Sequence, residues 1–188
     1  STRRHQAAAE LGQAVSDAMQ HLAMPGGQLE VLVSPSEASR HGIDQIEFLI
    51  AAHSGSTPKP LAKVASGGEL ARISLAISVI TSKASFTPTL IFDEVDSGIG
   101  GAVAQTVGEL LRQLGQSHQI LCVTHLAQVA AQGDHHFKVS KQPLDGKTHS
   151  DVKSLGRQER IEEIARMLGG TTITDTTRRH ARELLRQT

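Results

Sequence analysis

Two short stretches are almost wholly apolar, Thr89-Leu90-Ile91-Phe92 and Ile120-Leu121-Cys122-Val123, and between them Val103, Val107, Leu110, Leu111 and Leu114 recur at helical spacing. Continuous apolar strands linked through a helix fit a parallel sheet covered by helices better than a half-solvated antiparallel one. A second helix precedes the first of these strands. Leu70, Ile73, Ile77 and Ile80 mark one face of it, and Ala71, Leu75, Ala76 and Val79 make it apolar nearly all round, which predicts a buried helix. The expected fold class is α/β, a mostly parallel sheet flanked by helices.

The flanks are less regular. Leu11, Val15, Ala18 and Leu22 form an apolar stripe over the first 24 residues, ended by Pro25-Gly26-Gly27. Such a stripe packs on its own domain or forms the tail of a coiled coil. Alternation around Leu29, Val31 and Val33, and again around Ile46, Phe48 and Ile50, predicts two strands. The polar residues 34–44 between them read as a long hairpin loop, and residues 54–60 as a flexible one. Further strands are expected at 136–140 and 150–154, and two closing helices around Ile161, Ile164, Ala165 and Leu168 and around Ala181, Leu184 and Leu185. The domain reading is a helical arm at 1–24 and a globular lobe at 25–188.

Composition removes several functions. Lys plus Arg equal Asp plus Glu at 19 each, so the chain is not a strongly basic nucleic-acid module. Four Phe with no Trp or Tyr give no platform for stacking bases. Cys122 is the only cysteine, which excludes an internal disulfide and fits a reducing, cytoplasmic setting. No run of about 18 apolar residues offers a membrane span, and the chain opens on polar residues without a signal pattern.

Four motifs carry chemistry. Ser66-Gly67-Gly68-Glu69 opens the apolar helix. Ser66 and Glu69 suit a capping box, but two glycines in a first turn are poor helix formers and make sense where something approaches the backbone closely. Helix amides exposed in that way bind anions, so the four residues read either as a plain cap or as a phosphate-contacting start. In Leu90-Ile91-Phe92-Asp93-Glu94 a strand ends in two carboxylates, at the edge where open α/β sheets bind ligands. Asp93 is placed to hold magnesium and Glu94 to orient and deprotonate water; a solvated acidic loop is the plainer reading. Asp96-Ser97-Gly98-Ile99-Gly100-Gly101 is a glycine-rich turn, with Asp96 either capping the next helix or sensing a nucleotide at a shared interface. Thr124-His125 follows the second apolar strand, on the edge that bears Asp93 and Glu94, from which an imidazole could reach a terminal phosphate. The remaining histidines, His135 and His136 among them, read as surface residues.

In this order and spacing the motifs resemble the C-terminal lobe of the ABC-type ATPase head of SMC-like proteins. Ser66 to Glu69 match the signature motif, Leu90 to Glu94 the Walker B strand with its catalytic glutamate, Asp96 the D-loop aspartate and His125 the switch histidine. Glu69 stands where transporter ATPases usually carry Gln. Within the superfamily the segments FDEVDSGIGG at 92–101, VTHLAQVA at 123–130 and IEEIARMLGG at 161–170 resemble a bacterial double-strand-break repair branch. The resemblance implies ATP and Mg2+ as ligands, a cytoplasmic and nucleoid-associated setting, and three partners: the N-terminal lobe of the same head, a second head in a homodimer, and DNA. Ser66, Gly67, Gly68, Glu69 and Asp96 would meet nucleotide, Asp93 the metal, and Glu94 and His125 the reaction. The departure from the pattern is the phosphate loop. No GxxxxGK[ST] is present, and Gly55-Ser56-Thr57-Pro58-Lys59 has the wrong spacing and a proline. The chain is therefore expected to be inactive alone. Two other classes stay open, a membrane-transporter ATPase subunit and an interaction module that does not hydrolyse ATP.

Overall fold

The computed structural model describes residues 1–64, 66–84, 87–144, 147–170 and 172–186. The chain divides into two compact units, 1–124 and 125–188.

The first unit opens with helix α1 (Thr2–Gln20), which buries Gly12, Val15 and Met19. Leu22, past the helix end, is also buried. This stripe is rotated from the expected one, because α1 meets strand β1 (Gln28–Ser39) at a glycine. A Cβ on Gly12 would lie 2.9 Å from the Leu29 carbonyl oxygen. The Ser16 hydroxyl fixes the approach, donating to the Gly12 carbonyl at 2.6 Å and accepting from the Leu29 N–H at 2.9 Å. Leu11 and Ala18 are only half-buried beside this seam. The helix stops at Gln20 rather than at 24. The Gln20 side chain takes over the backbone groups of the turn, accepting from Gly26 N–H at 2.8 Å and donating to the Gly27 carbonyl at 3.0 Å.

Strand β1 pairs antiparallel with β2 (Gly42–Ala51), from Gln28 opposite Ala51 to Ser39 opposite Gly42, with an irregularity between Pro35 and Ser39. The expected long loop at 34–44 is thus strand. Its residues are largely exposed, so the apolar alternation that marks a half-buried strand is missing there. A two-residue strand, β3 (Lys59–Pro60), joins the other edge of β2 within the segment expected to be loop.

Helix α2 (Gly67–Thr81), strand β4 (Thr89–Phe92), helix α3 (Gly101–Gly115) and strand β5 (Gln119–Cys122) complete the unit. Strands β4 and β5 are parallel, with Ile91 opposite Leu121 and Phe92 opposite Cys122. They are the only parallel pair among the described residues; the other two sheets are antiparallel. The mostly parallel sheet expected from the sequence is here one two-stranded piece. Phe92 is buried, while Ile91 is 69% and Val123 63% exposed and Leu121 is exposed with them. One apolar face of this parallel pair is bare. Helix α2 buries Arg72, Ile73, Leu75 and Ala76 but leaves Leu70 and Ile80 exposed, so it is covered on one side only.

The second unit holds helix α4 (Ala127–Ala131), the antiparallel hairpin of β6 (Phe137–Leu144) and β7 (Lys147–Ser154), and helices α5 (Arg157–Gly169) and α6 (Asp175–Leu184). Ala127, Ala131, Ile161, Ile164, Ala165 and Ala181 form its core. Arg160 on α5 donates to the carbonyls of Ala131 at 2.9 Å and of Ala130 at 3.3 Å, closing the C-terminal end of α4. Lys138 on β6 reaches Glu163 on α5 at 2.6 Å.

Candidate functional site

Strand β4 delivers Asp93 and Glu94 at its C-terminal end, both exposed. Asp93 Oδ1 accepts from the Glu94 N–H at 2.9 Å. Glu94 has φ +58°, a left-handed conformation that L-residues other than Asn and Asp seldom adopt and that costs about 1–2 kcal/mol. A tight turn follows, in which the Ser97 N–H donates to the Glu94 carbonyl at 3.0 Å. Inside it Val95 is fully buried and Asp96 only 3% exposed. The Asp96 carboxylate accepts the Thr124 hydroxyl at 2.5 Å, so the residue faces inward and ties the turn to the end of the strand beside it. The next helix is capped at Gly100, not by Asp96.

The start of α2 lies against this turn. Ser66 is the N-cap, and its hydroxyl accepts from the Glu69 N–H at 3.3 Å. The capping box is only half formed, because the Glu69 carboxylate turns to His53, 3.6 Å away. The two glycines have different surroundings. Gly67 is exposed, and a Cβ there would overlap the Glu94 carboxylate. Gly68 is buried; a Cβ there would lie 2.9 Å from Ser97 Cβ and 3.3 Å from Arg72 Nη1. The close approach that two glycines in a first turn imply is thus made by the chain's own acid turn. Of the pair, Gly67 alone leaves backbone open to a ligand.

Ser66, Gly67, Gly68, Asp93, Glu94 and Asp96 therefore meet in the first unit. Glu69 is drawn away toward His53, and His125 opens the second unit, directly after Thr124. The histidines at 135 and 136 part company: His136 is half-buried, with Nδ1 unpartnered among the described residues, and burial pulls it below the usual imidazole range. Burial, with the charges of Asp96 and Asp93, pushes the Cys122 thiol up to about 12, which keeps it protonated and unreactive. No cluster of three His, Cys, Asp or Glu able to hold a metal exists among the described residues. A groove of about 400 Å³ beside Asp93, lined by Gly67, Leu70, Ala71, Ser74 and β4, is mostly apolar. These residues fit one carboxylate ligand and one helix start of a nucleotide site, not a complete cradle.

Motif reading passed over Arg72, and it named Thr124 beside His125 without giving it a role. Arg72 had a visible signal, as the only charge between Leu70 and Thr81 in an otherwise apolar helix. Thr124 had none, since its role comes from a partner 28 residues away.

No family model matches the chain. Among known proteins it is 50% identical over 190 aligned residues to the DNA repair protein RecN of Xylella fastidiosa, covering 100% of this chain and 34% of the relative. It is 49% identical over 180 residues to RecN of Vibrio cholerae, covering 95% of this chain and 32% of that protein. The chain thus spans about a third of the length of these relatives. Among solved structures it is similar to the Smc head domain with coiled coil and joint from Pyrococcus yayanosii, with TM-score 0.62 and 24% identity over 86% of this chain and 29% of the other. It is also similar to a chain from a study of ATP-driven dimerization and DNA-stimulated activation of SMC ATPases, with TM-score 0.54 and 22% identity over 91% of this chain and 99% of that one. These structural likenesses establish the fold, and the sequence identity is the stronger finding: over all or nearly all of its length the chain is similar to RecN DNA repair proteins, matching about a third of theirs.

Proposed function

We propose that this chain is the C-terminal lobe of an ATP-hydrolysing SMC-like head that acts in the repair of DNA double-strand breaks. The observation that carries the reading is the packing of the acid turn, Asp93 and Glu94, against the glycine-opened start of α2. Carboxylates and helix amides meet there at the C-terminal edge of a parallel strand pair, where α/β folds bind ligands.

In the complete head the phosphate cradle comes from the N-terminal lobe. The bare apolar face of Ile91, Leu121 and Val123 fits that partner, because parallel strands are stable when both faces are covered. Mg2+ would be held in part by Asp93 and would offset phosphate charge. Glu94 accepts a proton from water and aims its oxygen at the terminal phosphate. His125 donates to that phosphate, and Thr124, through Asp96, fixes the strand end from which His125 departs. Ser66 and the exposed amide of Gly67 address the nucleotide of a second head, with Gly68, Glu69 and Asp96 supporting them from behind. A homodimer closed by ATP and coupled to DNA accords with the ATP-driven dimerization and DNA-stimulated activation described for SMC ATPases of this fold. Helix α1, whose first ten residues are mostly exposed, is read as the end of a coiled-coil arm, and residues 25–188 as the lobe. The setting is the cytoplasm, at the nucleoid; no helix among the described residues is long and apolar enough to cross a membrane.

The test is Glu94→Gln in the full-length protein. ATP binding, followed by equilibrium titration, is expected to persist, and steady-state hydrolysis to fall by about 100-fold or more. Hydrolysis at the unsubstituted rate would remove Glu94 from its role.

A further inference from the structure

Arg72 sits in the apolar side of α2 and is 6% exposed. Its Nη1 donates to the Ser97 carbonyl at 2.8 Å, while its Nε is buried without a partner among the described residues. A side chain needed only for packing would be better served by Leu or Met, since a buried cation with an unpaired N–H is costly. What a guanidinium adds is its grip on Ser97. That grip reaches Glu94, because Ser97 closes the turn that Glu94 opens, and the left-handed backbone at Glu94 needs outside support. Gly68 completes the arrangement. It lies one helical turn before Arg72, and the space a side chain would fill is taken by Ser97 and by Nη1 itself.

We infer that Arg72 is a positioning residue for hydrolysis: together with Gly68 it forms a seat on the first turn of α2 that holds the 94–97 turn, and with it the Glu94 carboxylate, of the same chain. The second glycine of the motif therefore acts within its own head, beside whatever the first turn offers to an opposing nucleotide. The inference rests on the reading of Glu94 as the residue that activates water.

The experiment compares Arg72→Lys, Gly68→Ala, Ser97→Gly, the pair Gly68→Ala with Ser97→Gly, and Glu94→Gln in the full-length protein, measuring kcat, KM and equilibrium ATP affinity. Arg72→Lys keeps the charge and most of the stem but loses the planar fork. It is expected to lower kcat about ten-fold with KM and ATP affinity within about two-fold, the pattern of a lost transition-state arrangement. Gly68→Ala is expected to do the same, and adding Ser97→Gly, which clears the nearest clash, to restore at least about half of kcat. Should Arg72→Lys fail to fold, the Gly68 and Ser97 variants decide alone. An Arg72→Lys enzyme with unchanged kcat, or a Gly68→Ala defect that Ser97→Gly does not relieve, would overturn the inference; the second result would mean that Gly68 is kept small for something outside this chain. Full turnover in Glu94→Gln would instead overturn the reading of the site and this inference with it.

Discussion

Glu163 on α5 accepts from Arg166 Nη2 at 2.6 Å and Nε at 3.0 Å and from Lys138 at 2.6 Å, and is almost wholly buried. The Arg166 hydrogen bonds outweigh burial and, with Lys138, bring its carboxyl from an ordinary 4.5 down to about 2. A folded value below the unfolded one means that the unfolded chain binds the proton more readily. The stabilisation is therefore complete above about pH 4.5 and is lost as pH falls toward 2, with roughly 2–3 kcal/mol at stake. Denaturant titration of this chain across that range is expected to show the loss, and Glu163→Gln to flatten the curve while lowering stability at neutral pH, because Arg166 and Lys138 then face an uncharged amide. A Gln variant as pH-sensitive as the parent would remove Glu163 as the titrating group.

At the scale of elements, the junction of α1 with β1 depends on one missing methyl group. The helix approaches the strand backbone at Gly12, and Ser16 bridges the two with a pair of hydrogen bonds. Backbone cannot yield as a flexible side chain can, so Gly12→Ala is expected to separate the elements and cost roughly 1–3 kcal/mol, despite the higher helix propensity of Ala. The midpoint of chemical unfolding reads this directly; a midpoint at or above the parent value would mean that α1 is not anchored at this seam. The long ribbon of β1 and β2 is held differently. Its far end is tied by Arg4, which pairs with Asp44 at 2.9 Å and donates to the His41 carbonyl at 2.5 Å, while its own residues contribute little core.

For the whole molecule, the bare face of β4 and β5 is the feature that a self-sufficient domain would not keep. Ile91, Leu121 and Val123 stand exposed on a parallel strand pair, and the relatives are about three times as long as this chain. The double substitution Ile91→Lys with Val123→Lys is expected to leave the melting temperature of the isolated chain nearly unchanged, since both side chains are already in water. It is also expected to weaken association with the proposed N-terminal lobe, produced separately, by about ten-fold or more. Equal affinity of the two forms in a binding titration would show that the other lobe docks elsewhere.

Much of this was legible in the sequence because it is local. Period and turn chemistry predict both closing helices, the two apolar strands and the helix between them, and the order and spacing of the motifs at Ser66, Asp93, Glu94, Asp96 and His125 carry the resemblance to an SMC-like ATPase lobe. The polar ribbon at 34–44 was not legible, because a strand exposed on both faces has no hydrophobic alternation to read. Nor was the inward turn of Asp96, or the use of Gly67 and Gly68 as space for Glu94 and Ser97. Those depend on groups about 25 to 30 residues apart in the chain, and which side chain fills the hollow above a glycine is settled by packing, a property of the folded chain that no local pattern encodes.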